Sequence, residues 1–388
     1  MPLQTVFGQP STRIATDEAE AWITRSGGHV GPVTFRLGDR NIAPMHVAPW
    51  ADESWAACGA DGEPSPAALT PSMQALRGDF FCMPFGGNAE PWNGEKHPLH
   101  GEAANGIWTE KEVHPNAAVL TLETQIRRGR IEKQIHLIPG HQAVYSRHTI
   151  SGMYGPMTLG HHPMLRLQTP GLVSVAPFKF GQVFPGEFEA PQTRGYSALK
   201  PHATFTDLSK VPTFDKEEAD LTRYPARRGY EDFVMMYAAP EVQLGWSAVV
   251  FPEEGYLWFS LKDPRVLTAT ALWMSNGGRH YEPWNGRHVN VLGIEEVTSS
   301  VATGLADSLG PNTAAQDGCQ TILDLNPEAP TVVNFIFGIA PIPLGFDHVA
   351  QIESTPTGIR IQSRSGQFTE AAIDLCHLSI PSGPAGRR

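Results

Sequence analysis

Short segments in which apolar and polar residues partly alternate, each bounded by turn-forming residues, dominate this sequence. The clearest pair is 119–126 and 131–138, which flank a turn at 127–130 and end before Pro139. A period of two places successive side chains on opposite faces of a β-strand, and a short turn joins antiparallel neighbours. We therefore predict a hairpin here and an all-β architecture for the chain.

The same pattern predicts strands along the whole sequence, at 30–37, 143–150, 232–238, 242–251, 256–261, 289–295, 331–339 and 358–362. Few stretches carry apolar residues at helical spacing. The 388 residues include 38 glycines, 34 prolines and only 18% charged residues, which favours turns over surface helices.

Three stretches rich in Gly, Pro, Ser or Asp are predicted to be loops with at most short helices: 52–72, 169–230 and 302–316. The middle one is too long for a plain connection, so we expect it to carry some strands or to cover a binding surface. No break in composition divides the chain. We predict one domain over 1–380 and a flexible tail at 381–388.

Charge and hydropathy exclude several classes of partner. A formal net charge of -11 repels phosphate backbones and anionic lipid headgroups, so we expect no nucleic-acid and no membrane partner. No apolar run reaches the roughly 18 residues of a membrane span, and the first ten residues lack the regions of a signal peptide. We expect a cytoplasmic protein.

The sequence shows no motif for a metal or a cofactor. Cys58, Cys82, Cys319 and Cys376 are scattered without a C-x-x-C pair, as buried reduced thiols would be. P-loop, nucleophile-elbow, zincin and EF-hand patterns are all missing from the sequence. We expect no metal and no cofactor.

One short motif occurs twice, as Glu-Pro-Trp-Asn-Gly at 90–94 and at 282–286. Asn-Gly after Pro is ordinary turn chemistry, so two similar turns would explain the repeat. Alternatively, Trp92 or Trp284 offers an aromatic face at the rim of a cleft, where it would pack on the C–H face of a ligand. We assign Trp284 to substrate binding on this second interpretation.

Histidines and carboxylates cluster in three segments. The first runs from 77 to 87 and continues to His97 and His100. These two histidines are three residues apart, as metal ligands on a helix can be, but Pro98 and Gly101 indicate extended or turning backbone instead.

The second and third segments each offer a group for proton transfer. In the second, His162 precedes Pro163 and an apolar strand. A histidine titrates near neutral pH and can donate and recover a proton, although a core histidine bonded to a carbonyl is the alternative. In the third, an apolar strand ends in Glu295 and Glu296, of which only one can face a given cavity. The other is expected to be solvated or paired.

In order and spacing, these segments resemble the galactose mutarotase superfamily of aldose 1-epimerases, especially its hexose-6-phosphate epimerase branch. The stretch 77–86, followed by His100 and Trp108, is similar to an Arg-Gly-Gly-x-Pro segment and the His-Gly and Trp that follow it in that branch. Residues 162–167 resemble the family's H-x-Y-F-x-L motif without its tyrosine. Residues 293–295 resemble its terminal apolar-Glu motif.

The resemblance covers 10–300 and implies a β-supersandwich with long loop insertions. It implies that His162 is the general acid and Glu295 the general base of an aldose 1-epimerase, an isomerase that needs no cofactor. Arg77 and His100 would bind the hydroxyls or the ring oxygen of the sugar, and Asp232 sits where many members place a sugar-binding aspartate.

Two other functions stay open at this point. Domains of this superfamily also serve as non-catalytic carbohydrate-binding modules, and fold alone does not fix function. A glycoside hydrolase or lyase would need two carboxylates, for instance Glu295 with Asp232.

The sequence also leaves the ligand and the assembly open. By the resemblance, the partner is a small-molecule sugar or sugar phosphate. Whether the sugar carries a phosphate stays open, because five cationic residues could form an anion site or be ordinary surface charge. These residues are Arg77, Lys96, Arg166, Arg279 and Arg287. A monomer and a homodimer are both compatible with the sequence.

Overall fold

A computed structural model describes residues 3–56, 69–186 and 197–378. Cys58 and the predicted tail at 381–388 lie outside these residues, and a single domain over 1–380 stays a prediction. Strands dominate, which confirms the all-β class. The described helical segments are short, and none is long and apolar enough to cross a bilayer. They are α1(Pro71–Gln74), α2(Gly101–Asn105), α3(Leu305–Leu309), α4(Thr313–Gln316) and the 3-10 turns Ser54–Ala56 and Leu375–Leu378.

The largest sheet has nine antiparallel strands. Their spatial order is β19(Arg223–Tyr224), β14(Gly171–Val175), β21(Gly245–Phe251), β22(Tyr256–Lys262), β26(Thr331–Pro341), β10(Ala143–Ser151), β9(Gly129–His136), β8(Ala117–Thr124) and β7(Thr109–His114). Strands β8 and β9 form the predicted hairpin, with Leu122 opposite Ile131. Both of these side chains are buried, so the alternation in the sequence sets the register.

The second large sheet has eight strands and carries the chemistry considered below. Its main path is β16(Thr204–Phe205), β15(Phe178–Val183), β20(Tyr230–Ala238), β23(Ala269–Asn276), β24(Val291–Thr298), β12(Leu159–His161) and β6(Phe81–Cys82), and β13(Met164–Arg166) also pairs with β24. Strand β24 continues through both glutamates, whereas the sequence pattern predicted that it would end there.

The two large sheets pack face to face as a sandwich. The rings of Phe81 and His148 stack across the interface with centroids 3.9 Å apart. His161 and Phe335 stack in the same way at 4.3 Å. The predicted β-sandwich is confirmed.

Smaller sheets cover the sandwich. A five-stranded sheet comprises β1(Gln4–Val6), β2(Gln9–Ala15), β3(Ala19–Thr24), β4(Val30–Leu37) and β5(Arg40–Ile42). A three-stranded sheet near the end of the described chain comprises β27(Val349–Thr355), β28(Gly358–Ser363) and β29(Phe368–Ala372). Two-stranded sheets pair β11(Gly155–Met157) with β25(Leu323–Leu325) and β17(Val211–Pro212) with β18(Glu218–Ala219). The long segment 169–230 therefore carries strands, as expected.

Candidate active site

The proposed acid and base lie across from each other on neighbouring strands. Strand β12 ends with His161 opposite Glu296, and β13 resumes against β24 in the same register. His162 between them therefore falls opposite Glu295, and directly opposed residues of antiparallel strands point to the same face. Pro163 has no N–H for the ladder, which explains why the strand breaks at this point.

The two side chains are in contact. His162 Nε2 lies 3.1 Å from Glu295 Oε1, and both side chains are almost completely buried. The imidazole stacks on the ring of Phe80 with centroids 4.5 Å apart. Trp273 meets it edge-on at 5.7 Å. The ring of His162 is thus held between two aromatic side chains with one nitrogen directed at the carboxyl group.

Burial keeps both partners uncharged. It raises the pKa of Glu295 from 4.5 to about 8, against the opposing charge of Arg279. It lowers the pKa of His162 well below 6.5, helped by the neighbouring His100. With a pKa of about 8, the carboxyl of Glu295 is mostly protonated at pH 7, beside a neutral imidazole. The pair therefore holds one proton between two groups.

A cavity of about 220 Å³ opens onto this pair. Ligand sites for drug-sized molecules measure about 300 to 1,000 Å³, so this cavity suits a small molecule such as a monosaccharide. Its described lining consists of Met73, Leu76, Gly86, Gly87, Leu99, His100, His162, Phe184, Phe233, Trp273, Arg279, Tyr281, Trp284, Glu295 and Ala302. The walls are mainly apolar and aromatic, with the polar side chains few in number.

His100 lines the cavity beside the pair. Its ring meets that of His162 edge-on with centroids 5.1 Å apart, and burial lowers its pKa to about 4. The residue has a φ of 60°, and a side chain at the following Gly101 would come within 1.9 Å of the Met83 carbonyl oxygen. Glycine is therefore required at position 101 of this turn. The turn carries the neutral imidazole of His100 in the cavity wall.

Trp284 also lines the cavity, together with Arg279, one of the five cationic candidates, and Trp273, which the sequence did not identify. The guanidinium carbon of Arg279 lies 4.3 Å from the Trp284 ring centroid and 5.3 Å from that of Trp273. Arg279 Nε is 3.3 Å from Glu231 Oε1, which also accepts a 2.7 Å hydrogen bond from Trp273 Nε1. Burial raises the pKa of Glu231 to about 7. Glu231 thus holds both the ring of Trp273 and the guanidinium of Arg279 in place.

Arg77 lies outside the described lining. Its guanidinium donates hydrogen bonds of 2.8 Å to the carbonyls of Val6 and Phe7, and its Nε donates to the carbonyl of Ala75 at 2.9 Å. The side chain is fully buried. It therefore joins the first hairpin to the segment before the site, and we do not carry it into the proposed site.

Asp232 is likewise outside the described lining. Its carboxylate accepts backbone N–H bonds of 3.0 Å from Ala198 and Leu199. Neighbouring strand residues point to opposite faces, so Glu231 serves the cavity wall while Asp232 faces the other way. This placement removes the carboxylate pair of Glu295 and Asp232 on which the hydrolase alternative depended.

The carboxylate after Glu295 is paired on the opposite face of β24, as expected for one of the two. Glu296 Oε2 lies 2.5 Å from Lys262 Nζ in the interior of the sandwich. Ser247 and Thr270 donate hydrogen bonds of 2.6 Å and 2.7 Å to the same carboxylate. Glu296 thus links the two large sheets and takes no part in the cavity.

The two copies of the repeated turn have different surroundings. Trp284 is in the cavity wall, whereas Trp92 is absent from the described lining. The guanidinium carbon of Arg127 lies 5.4 Å from the centroid of the Trp92 ring. Arg127 Nη2 lies 2.6 Å from Glu95 Oε2, which also lies 3.0 Å from His97 Nε2. His97 is therefore a structural residue.

The cationic candidates do not gather at one place. Of the five, only Arg279 belongs to the described lining of the cavity. Arg287 pairs with Glu53, and Lys96 and Arg166 are exposed. In the described ranges no three His, Cys, Asp or Glu side chains are grouped as metal ligands would be.

Comparison with known proteins identifies the fold. No family model matches the sequence, and no curated protein matches it. A galactose mutarotase related enzyme from Lactobacillus acidophilus has a similar structure, with a TM-score of 0.55 at 11% identity over 85% of this chain and 97% of that one. A galactose mutarotase-like protein from Lactobacillus casei gives a TM-score of 0.53 at 11% identity over 85% and 99%.

A third solved structure gives the same result. An aldose epimerase homologue from C. elegans has a TM-score of 0.52 at 11% identity over 86% of this chain and 100% of its own. Likeness at such low identity concerns the fold and leaves the activity to be argued from the site. This chain therefore has the galactose mutarotase-like fold that its sequence motifs suggested.

Proposed function

We propose that this protein is an aldose 1-epimerase-like isomerase that interconverts the anomers of a hexose or hexose phosphate. The observation that carries the proposal is the contact of 3.1 Å between His162 and Glu295 in the wall of a sugar-sized cavity. The mutarotase-like fold supports it.

The chemistry requires one proton donor and one proton acceptor. To open the ring, His162 protonates the ring oxygen while Glu295 removes the proton of the anomeric hydroxyl, and the bond from C1 to the ring oxygen breaks. After the aldehyde turns over, the same groups run the steps in reverse on its other face. Each positioned acid or base contributes typically 10²- to 10⁴-fold.

One proton on the pair is the correct number for this cycle. In the empty site it rests on Glu295, whose pKa burial raises to about 8. Transfer across the contact gives the imidazolium and carboxylate that the assigned roles require. The charge of Arg279 lowers the pKa of both groups, so it stabilises the carboxylate and disfavours the imidazolium.

The cavity wall supplies the remaining contacts of the proposed site. Trp273 and Trp284 offer aromatic faces for the C–H face of a pyranose, and His100 and Arg279 offer donors for its oxygens. We propose the cytoplasm as the place of action, in keeping with the described cysteines Cys82, Cys319 and Cys376, which are all free thiols.

A polarimetric screen tests the proposal. Freshly dissolved α-anomers of glucose, galactose and mannose and their 6-phosphates are followed with wild type and Glu295→Gln. We expect wild type to speed the change in rotation for at least one sugar and the variant to lose 10²- to 10⁴-fold. Calorimetric binding without acceleration would favour a carbohydrate-binding module, and release of shorter sugars from oligosaccharides would favour a hydrolase.

A further inference from the structure

We propose that Asp79 is the positioning residue that holds the imidazole of His162 against Glu295. This inference rests on the proposed function, because it assigns His162 a part in the reaction. It adds a residue that touches neither the cavity nor the substrate in that proposal.

The carboxylate of Asp79 contacts both His161, which ends β12, and His162, which precedes β13. Its Oδ1 accepts the backbone N–H of His162 at 3.0 Å, and its Oδ2 contacts Nδ1 of His161 at 2.8 Å. The backbone N–H of His162 also points at the carbonyl of Phe80, 3.0 Å away. Since Pro163 interrupts the ladder at this position, these contacts replace the strand pairing that would otherwise orient the residue.

Asp79 is itself fixed by the five-stranded sheet. Its N–H donates to the carbonyl of Val30 at 3.0 Å, and the N–H of Val30 donates back to Asp79 at 2.7 Å. The preceding Gly78 has a φ of +55°, and a side chain there would come within 1.8 Å of the Val30 carbonyl oxygen. Gly78 therefore lets the backbone approach Val30 closely, and this contact fixes the position of the Asp79 carboxylate.

His161 holds the Oδ2 atom of Asp79 in place. The ring of His161 stacks on Phe335 at 4.3 Å and meets His148 edge-on at 5.0 Å, deep between the two large sheets. Asp79 thus connects a rigid interior ring to the backbone of the residue that faces the cavity. A misplacement of about 1 Å can cost roughly 10²-fold in rate, so this connection matters for turnover.

Two substitutions separate positioning from mere support of the fold. Asp79→Asn keeps an oxygen for the N–H of His162, and its amide can donate to Nδ1 of His161. Asp79→Ala removes both contacts. We expect Asp79→Ala to lower kcat about 10- to 100-fold with KM changed by less than about twofold, and Asp79→Asn to stay within about threefold of wild type. Asp263→Ala is the matched control, because Asp263 also accepts a backbone N–H, from Arg265 at 2.9 Å, and is not in the described lining of the cavity.

A readout independent of turnover is the ¹⁵N NMR titration of the His162 ring. We expect the wild-type ring and the Asp79→Asn ring to stay neutral well below pH 6.5, and the Asp79→Ala ring to titrate closer to that value because it leaves its aromatic packing. Equal losses of kcat in the Ala and Asn variants, or an unchanged His162 titration in Asp79→Ala, would overturn the proposal. Wild type without mutarotation would refute the proposed function, and the titration would still decide the role of Asp79.

Discussion

Glu295→Gln separates the chemical role of this carboxyl group from its cost to the fold. The amide has nearly the same size and can donate to His162 Nε2 as the protonated carboxyl does, but it neither gains nor loses a proton. We expect mutarotation to fall by 10²- to 10⁴-fold, the usual contribution of a positioned acid or base. The same substitution should make the folded protein less sensitive to alkaline pH.

The size of the stability effect follows from the raised pKa. Burial moves the pKa of Glu295 from 4.5 to about 8, so between these values the folded state keeps a proton that the unfolded state has released. Stability from this group is complete below the unfolded pKa and is lost as pH rises through the folded one. From pH 6 to pH 9 this amounts to about 3 kcal/mol of unfolding free energy in wild type, and the variant lacks that loss.

Urea unfolding at the two pH values, followed by tryptophan fluorescence, measures the difference. We expect wild type to lose about 3 kcal/mol more than Glu295→Gln between pH 6 and pH 9, with equal dependence on urea concentration. Parallel losses in the two proteins would show that the carboxyl of Glu295 is not held protonated by burial, and the account of the shared proton would be wrong.

Three further predictions concern the same cavity. A polarimetric pH series should give a bell-shaped dependence of the rate on pH. The rate should fall near pH 8, where Glu295 loses the shared proton, and again well below pH 6.5, where His162 gains a second proton. Gly293→Ala places a Cβ 3.1 Å from Glu295 Oε1, so kcat should drop about tenfold. The unfolding free energy should stay within about 1 kcal/mol of wild type. An unchanged kcat would contradict the tight packing around Glu295. Trp284→Ala should raise KM about 10-fold by removing an aromatic face, whereas the control Trp92→Ala in the other copy of the turn should leave KM unaltered; equal effects would remove the distinction between the two turns.

Patterns of hydropathy predicted many of the strands but missed others, among them β23 in the sheet that carries the site. The hairpin at 119–138 and the strand at 30–37 follow from alternation and turn residues alone, because sheet faces impose that period. The sequence also selected His162 and Glu295, because their segments resemble two motifs of the mutarotase superfamily. Their pairing could not be predicted, since it depends on the register between strands that are distant in the chain.

The remaining parts of the site depend on contacts that no local pattern encodes. Arg77 was predicted to bind sugar, but its donors are taken by backbone carbonyls that lie near it only in the folded chain. Asp232 and Glu231 are adjacent, and only the absolute register of β20 decides which of them faces the cavity wall. Trp273 lies inside an apolar strand, where its sequence resembles that of any core residue. Arg279 was one of five cationic candidates, and nothing in its turn-rich stretch distinguished it from the other four.

The central claim is that His162 and Glu295 act as one unit on a single shared proton. A double-mutant cycle with His162→Asn, Glu295→Gln and the double variant, measured by polarimetry on the sugar that wild type converts fastest, tests it most directly. Groups that act as a unit are strongly non-additive, so the double variant should be no slower than the slower single variant. Losses that multiply, or near-normal activity in either single variant, would contradict the claim.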